Sequence, residues 1–453
     1  MKRLVATILL FGACVWCGSA RADGLVIAGG SPRAIGRAGV GTVSDDGGGA
    51  LLLDPAVLAR RDSTRVQIGV GFIDDAIQWG HSSSTPLARD QSGSSTMPMV
   101  AIEGAWGDWI LGAAAMTSAV SERELRSPGS IDAGHYGNMF DYRYTGLAGS
   151  VRRDTVTVGA ARRFGEWVSV GVSVAGSRVS VEERRAIWAG FVDRNDVLMD
   201  PNHDVDIGFS AEDSLAPSAV AGVLLAPPDT HLEFAASFGW EGTAHISGDV
   251  AAAAAGTGAR PVLSSAVAKM DLAQPYTLRT GVRWLADRWS AEANADLWIF
   301  PELAQNETWD LTGVQIADQS GAMVGLGSLP SRISERTHGA MRIAFDVELI
   351  SGFLWATAGY AYTTAGTGRE RRSTTFGELS GHTLGLGLEA SAGQFTMTLG
   401  WGRTWSTKRP EQTSLWTLDN PFAGGGNEQV PTGTYDASAD FVGLQIDAEL
   451  GSQ

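Results

Sequence analysis

The chain has only two cysteines among its 453 residues, Cys14 and Cys17, and both fall in an N-terminal stretch that reads as an export signal. Lys2 and Arg3 form its positive end and Leu4 to Trp16 its apolar run. Ala20-Arg-Ala22 is a small-x-small cleavage site before Asp23, so residues 1–22 are expected to leave. A lipid anchor on Cys17 fits less well, because bulky Trp16 precedes it. The remaining chain has no thiol, which excludes disulfides, thiolate metal sites and cysteine nucleophiles. Outside the signal no apolar run approaches the ~18 residues of a membrane-spanning helix. Without Lys2, Arg3 and Arg21 the formal charge falls from −16 to −19, a balance that repels nucleic-acid phosphates. Catalytic motifs are missing too. There is no Gly-x-Ser-x-Gly elbow, and the pairs Gly385/Gly387 and Gly400/Gly402 lack the third glycine and following helix of a dinucleotide site. His81, His135, His203, His231, His245, His338 and His382 show no metal-ligand spacing. No enzyme activity, cofactor or resident metal is expected.

Present instead is a strict alternation of short turns and long polar loops. The turns are Trp106–Trp109, Phe164–Trp167, Pro227–Thr230, Ala286–Trp289, Ile350–Phe353 and Ala392–Phe395. The loops are 73–96, 120–153, 185–211, 249–268, 300–334, 365–379 and 407–436. Sorting of loops by length is the mark of an outer-membrane β-barrel, with short turns on the periplasmic side. The intervening segments alternate apolar and polar residues. Phe395, Met397, Leu399 and Trp401 oppose Thr396, Thr398, Gly400 and Gly402. Val442, Leu444, Ile446 and Ala448 oppose Gly443, Gln445, Asp447 and Glu449.

The pattern predicts an all-β, fourteen-stranded antiparallel transmembrane barrel. Its strands fall at 64–73, 97–106, 108–119, 154–164, 167–183, 212–226, 230–248, 269–286, 288–299, 335–349, 352–364, 380–392, 394–406 and 437–450. Closure lets a sheet hide its edges in lipid. Charged residues such as Arg279, Arg283, Asp296, Arg342, Asp346 and Asp447 share one face, which would be the lumen in a barrel and the wet surface in a sandwich. Glycine is 58 of 453 residues and often opposes the bulky face. Such glycines either leave lumen volume for a plug or ligand, or relieve strain in a curved sheet.

Residues 23–61 do not read as a strand. Gly36-Arg-Ala-Gly39, the run Ser44, Asp45, Asp46, and Asp54, Pro55, Ala56 with a following apolar residue resemble the N-terminal hatch of FadL-type outer-membrane long-chain fatty-acid transporters. The family commonly has Asn where Asp54 stands. Pro275–Trp284 and Gly381–Leu388 resemble its later hairpins. On its own chemistry, Asp54 is a good N-cap and Pro55 suits the first helical position. The resemblance implies a hatch over 23–61, a barrel over 62–453, and gating by Ser44 to Asp46 and Asp54 to Ala56. It also places the Asp-Pro-Ala corner beside a kinked third strand. Here that strand carries the featureless run Ala113, Ala114, Ala115, the candidate lateral opening. The chain ends on Gln453 without the usual aromatic, leaving Leu450 as the apolar assembly signal.

Among the loops, 185–210 carries Ile187, Trp188, Phe191, Leu198 and Met199 among several aspartates. These apolar residues are either a landing groove for a hydrophobic substrate, as the resemblance implies, or a small core on the barrel rim. Asp200, His203, Asp204 and Asp206 could hold a hard divalent cation or form a solvated acidic surface. Alanine's propensity predicts a short helix over Ala251–Ala255. The expected function is passive uptake of hydrophobic molecules, foremost long-chain fatty acids, across a lipopolysaccharide-covered Gram-negative outer membrane. Loop capture, lumen binding and lateral release past the hatch would be its steps, and nothing calls for more than a monomer. The alternatives are an adhesin- or receptor-like barrel with a closed hatch and a water-filled porin.

Overall fold

The computed structural model describes residues 31–45, 47–80, 88–125, 142–190, 201–376, 381–406, 409–410, 416, 418–422, 430 and 433–450. The export signal, Asp46, Phe191, Leu198, Met199 and Asp200 lie outside them. Fourteen strands form one closed antiparallel cycle. They are β1 Thr64–Gly80, β2 Ser95–Trp106, β3 Trp109–Glu124, β4 Ala148–Phe164, β5 Val168–Trp188, β6 Asp204–Leu225 and β7 Leu232–Glu241. The second half is β8 Tyr276–Leu285, β9 Trp289–Ile299, β10 His338–Ile350, β11 Leu354–Thr363, β12 Gly381–Ala392, β13 Phe395–Ser406 and β14 Thr434–Leu450. Each pairs with its neighbours, and β14 returns to β1 from Leu450 against Thr64 to Thr434 against Gly80. All six short turns join consecutive barrel strands as expected. Gly107, Gly165, Gly352 and Gly393 have positive φ there, a conformation that a side chain makes costly.

The burial pattern answers which face meets lipid. On β13, Leu399 is 48% exposed while its neighbour Thr398 is 5%. The same inversion holds on β14, where Val442, Leu444 and Ile446 face outward and Gln445 and Asp447 are buried. A soluble sandwich would bury the apolar face. Here the apolar face covers the outside and aromatic residues mark its ends, among them Trp106, Trp109, Trp284 and Trp289 near the short turns. Among the described residues no helix is long and apolar enough to cross a membrane.

On the long-loop side the sheet extends beyond the expected strand ends. Ala244–Ala254 and Ala259–Leu272 form a hairpin where the 249–268 loop was expected, and Thr308–Asp318 pairs onto it. The expected continuous strands 230–248 and 269–286 are therefore each broken, at Gly242–Thr243 and at Ala273–Pro275. The Ala251–Ala255 run is not a helix: Ala251 to Ala254 pair with Gly208 to Val205 of β6. A neighbouring strand with open backbone groups outweighs a helix propensity of a few tenths of a kcal/mol per residue, a scale of about 0–0.7 kcal/mol for ordinary residues.

The face assignment has a direct check. Leu399→Arg would be nearly neutral on a water-exposed surface, but at mid-bilayer it should cost about 2–4 kcal/mol. We expect a marked loss of the folded, heat-modifiable band on gels; an unchanged band would place Leu399 in water.

Candidate functional site

The N-terminal segment lies inside the barrel. Helix α1 (Pro32–Gly36) starts with Ser31 accepting from Ala34 N, and helix α2 (Ala50–Leu53) leads into a 3-10 turn, Pro55–Arg60. Asp54 caps that turn: its Oδ1 accepts from Ala56 N at 2.9 Å, with Pro55 in the first position. The inward glycines are where this segment touches the wall. A Cβ on Gly222 would lie 1.9 Å from Asp54 Oδ1, one on Gly171 2.4 Å from Ala56 N, and one on Gly359 2.2 Å from the Arg37 carbonyl carbon. Gly385, Gly400 and Gly443 leave similar room for α1. Of the two readings of the glycine face, room for a plug explains these positions.

Polar ties span the lumen. Arg37 pairs with Glu292 of β9 at 3.0 Å and with Asp346 of β10, all buried. Glu292 also accepts from Val43 N at 2.9 Å. Arg33 pairs with Glu389 at 3.0 Å and Arg60 with Glu233 at 2.6 Å. On the other side Ser173 donates to Leu51 O at 2.6 Å, and Arg163 to Ala59 O at 2.6 Å. Buried ion pairs of this kind fix geometry more than they add stability, because each charge has lost its water.

Of the expected gating residues, Asp45 accepts from Ser31 Oγ at 2.8 Å and Ser44 O from Arg33 at 3.5 Å, so both tie the segment to itself. The Asp54–Ala56 corner presses against Gly171 of β5 and Gly222 of β6, and Ala56 shares an apolar cluster with Ala114 of β3. The reason is steric: those two glycines admit its backbone. Leu51 and Leu58 of the same cluster approach β3 at Gly112. Ala113–Ala115 are paired on both sides without a break. The irregularity comes just beyond them. The β2–β3 ladder ends at Met99 and Met116, next to Pro98, which has no N–H to give, and β3 bulges between Thr117 and Ala119. Across this gap Arg152 donates to Thr96 O at 3.2 Å and to Thr117 Oγ1 at 2.9 Å.

A cavity of about 250 Å³ lies between the N-terminal segment and the long loops. Leu52 and Leu53 form one wall, and Val151, Trp298, Phe300, Ile333 and Phe376 add apolar surface. Ser118, Ala119 and Val120 bring it to the β2–β3 gap. Its exposed surface is mostly apolar, but charged groups, Arg123, Arg153, Glu241, Arg279 and Glu335, and several hydroxyls also line it. Arg279 is legible in the sequence as an inward charge, but no sequence signal ties Leu52, Trp298 and Phe300 to one space.

Ile187 and Trp188 do not line this cavity. Both end β5 and are fully buried, Ile187 in the core of the loop sheet and Trp188 with Tyr144, Trp416 and Leu418. Beneath them Glu183 and Arg185 of β5 form a buried charge cluster with Arg332 and Asp419 from two loops. Asp204 is held by Arg143 at 2.6 Å and Tyr144 at 2.8 Å, and burial pushes its carboxyl up to about 6. That pairing occupies it, and the described residues contain no cluster suited to a metal.

No protein-family model and no curated protein matches the sequence. Solved structures do. A FadL homologue from Pseudomonas aeruginosa superposes with a TM-score of 0.72 at 13% identity, covering 95% of this chain and 100% of its own. The toluene transporter TodX of P. putida gives 0.63 at 14% identity, covering 94% and 100%. The monoaromatic hydrocarbon channel CymD gives 0.63 at 12% identity, covering 94% and 98%. At such identities the likeness is one of fold, and it bears out the resemblance to FadL-type barrels over nearly the whole chain.

Two outcomes follow from the site geometry. Gly222→Val should push Asp54 off β6 and remove a cap worth about 0.5–2 kcal/mol, leaving the barrel folded. Faster swelling of protein-bearing liposomes in small sugars is expected; an unchanged rate would show that the segment accommodates the methyl groups. The second concerns Glu307, which accepts from Ala273 N at 2.6 Å at the cavity rim. Burial pushes its carboxyl up to about 8 from an ordinary 4.5. The folded rim therefore binds a proton that the open form releases, so burial of Glu307 is most favourable below the ordinary value. The closed rim loses stability as pH rises toward about 8, even though the Ala273 bond itself favours the charged form. Amide exchange around Ala273 should speed up over that range, and Glu307→Gln should flatten the dependence.

Proposed function

We propose that this chain is an outer-membrane channel for passive uptake of hydrophobic molecules, with long-chain fatty acids as the first candidates. The observation that carries this reading is the lumen cavity: mostly apolar in surface, provided with charged and hydroxyl anchors, and walled by the N-terminal segment at Leu52 and Leu53. Pockets of this composition suit an apolar body with one or two polar groups. A lumen occupied by Pro32–Gly36, Ala50–Leu53 and Pro55–Arg60 argues against a water-filled porin. The structural neighbours include proteins described as toluene transporters and a monoaromatic hydrocarbon channel, so small aromatic hydrocarbons are substrates of the same general kind.

In this reading the long loops face outward through lipopolysaccharide and the protein works as a monomer in a Gram-negative outer membrane. Molecules enter from the loop side and rest against Leu52 and Leu53. They leave after the N-terminal segment shifts, through the wall near Ser118 and Ala119, where the β2–β3 ladder has already ended. Ala113–Ala115 form the paired lower edge of that exit. Ile187 and Trp188 contribute by holding the loops in shape, and Phe191, Leu198 and Met199 remain the candidates for first capture. Ser44 to Asp46 and Asp54 to Ala56 belong to the moving part.

A reversible lock tests the mechanism, helped by the absence of native thiols after the signal. A Cβ on Gly281 of β8 would lie 3.4 Å from the Thr42 Cβ, close to disulfide spacing. The pair Thr42→Cys and Gly281→Cys should, when oxidised, bring uptake of a fluorescent fatty acid into liposomes near background, and reduction should restore it. Equal rates in both states would remove segment motion from the mechanism.

A further inference from the structure

The lipid-facing stripe of β13 is broken once. Phe395, Met397, Leu399, Trp401 and Trp405 are apolar, but Arg403 stands between the two tryptophans and is exposed with them. It lies eight residues up the strand from Phe395 at the short turn. That is roughly 26 Å along β13 and about 20 Å along the membrane normal, near the upper edge of an apolar band about 25 Å tall. Other outward arginines of the long-loop half, Arg152, Arg178 and Arg184, each hydrogen-bond a carboxylate. Arg403 does not. Among the described residues the only polar contact of its guanidinium is Asp440 of β14 at 3.6 Å, too long for a hydrogen bond. Asp74 of β1 lies across from Asp440. On the other side Leu384 and His382 of β12 pair with Arg403 and Trp405. His382 stacks on Trp405 at 5.9 Å and lies 5.1 Å from the Tyr362 ring, and its Nδ1 bonds the Tyr360 hydroxyl at 2.7 Å.

We propose that Arg403 and the aromatic group around His382 form a seat for one molecule of lipid A, the phosphorylated glucosamine lipid of lipopolysaccharide, with its phosphate on the guanidinium. This rests on the outer-membrane orientation above, with the long loops outside. A cation in a lipid-facing stripe is costly, and the cost falls toward the interface, where headgroups offer acceptors. The planar guanidinium matches a phosphate through two parallel bonds, which a point charge cannot do. Tyrosine and tryptophan rings settle at the same headgroup level. Below Arg403, Leu384, Leu386, Trp401 and Val442 are exposed apolar surface for the acyl chains. Asp440 and Asp74 bound the seat on the β14 side and repel any further phosphate there, which holds the count to one. A lipid held here sets the depth at which β11 to β14 sit in the outer leaflet.

The test uses the full mature chain in detergent and native mass spectrometry, with lipid A, dephosphorylated lipid A and phosphatidylglycerol as probes. The unaltered protein should retain one lipid A and bind the other two at least about fivefold more weakly. Arg403→Gln should weaken lipid A binding about tenfold or more and change binding of the dephosphorylated form by less than about twofold. Arg403→Lys keeps the charge without the fork and should fall between; it covers the case in which the Gln variant fails to assemble. Equal lipid A affinity in the unaltered protein and the Gln variant would overturn the proposal. So would phosphatidylglycerol bound as tightly as lipid A, which would make Arg403 a contact for any anionic lipid. Orientation is read separately. Gln319→Cys, exposed just past Thr308–Asp318, should react with a membrane-impermeant maleimide on whole cells. Labelled cells without lipid A binding would sink the seat alone, and unlabelled cells would overturn the orientation it rests on.

Discussion

Backbone hydrogen bonding without water is the constraint from which the rest of this structure follows. Each unpaired N–H or C=O in hydrocarbon costs several kcal/mol, so a sheet that crosses a membrane must close. The pairing of β14 with β1 over the full length of β1 meets that demand. Closure then fixes the two faces. Side chains such as Leu399 and Leu444 point to lipid, and the alternate positions, Thr398 and Gln445 among them, are turned into a lumen they must fill or satisfy. The one place where the β2–β3 ladder stops early is therefore notable: at Pro98 and the β3 bulge the wall trades a backbone ladder for side-chain bonds from Arg152.

A lumen lined by glycine and charge can hold water or a plug, and in this chain the N-terminal segment occupies it. The N-terminal segment supplies both kinds of complement. Its backbone fits against Gly171, Gly222, Gly359 and Gly385, where any Cβ would collide. Its Arg37 lies between Glu292 and Asp346 and forms an ion pair with each. These ties are specific in register and weak as net stabilisers, since the desolvation of each ion offsets most of the attraction. A segment held this way is fixed in one register against the wall. The cavity lies on the face of that segment opposite the short turns, so a ligand and the segment share Leu52, Leu53 and Arg279.

Much of this was legible in the sequence because membrane barrels expose their pattern. Turns at Trp106–Trp109 and Ala392–Phe395 and period-two alternation on β13 and β14 locate strands without tertiary knowledge. The Asp54-Pro55 cap was equally local. What failed depended on partners distant in sequence. The Ala251–Ala254 strand exists because Val205–Gly208 of β6 lies beside it, and propensity knows nothing of that. Trp188 stands among aspartates in the sequence, yet it is covered by Trp416 and Leu418 from another loop. Glycine content announced close approach but not its object. Only assembly shows that Gly222 faces Asp54 while Gly443 faces Pro32.

The lumen as a binding site stands or falls with what the purified protein holds. Native mass spectrometry of the mature chain, taken from its host membrane in a mild detergent, would show this directly. A binding lumen should yield a one-to-one complex with a small hydrophobic molecule, lost when Val151→Trp fills the cavity. Bare protein, or the same molecule retained unchanged by the filled variant, would contradict it.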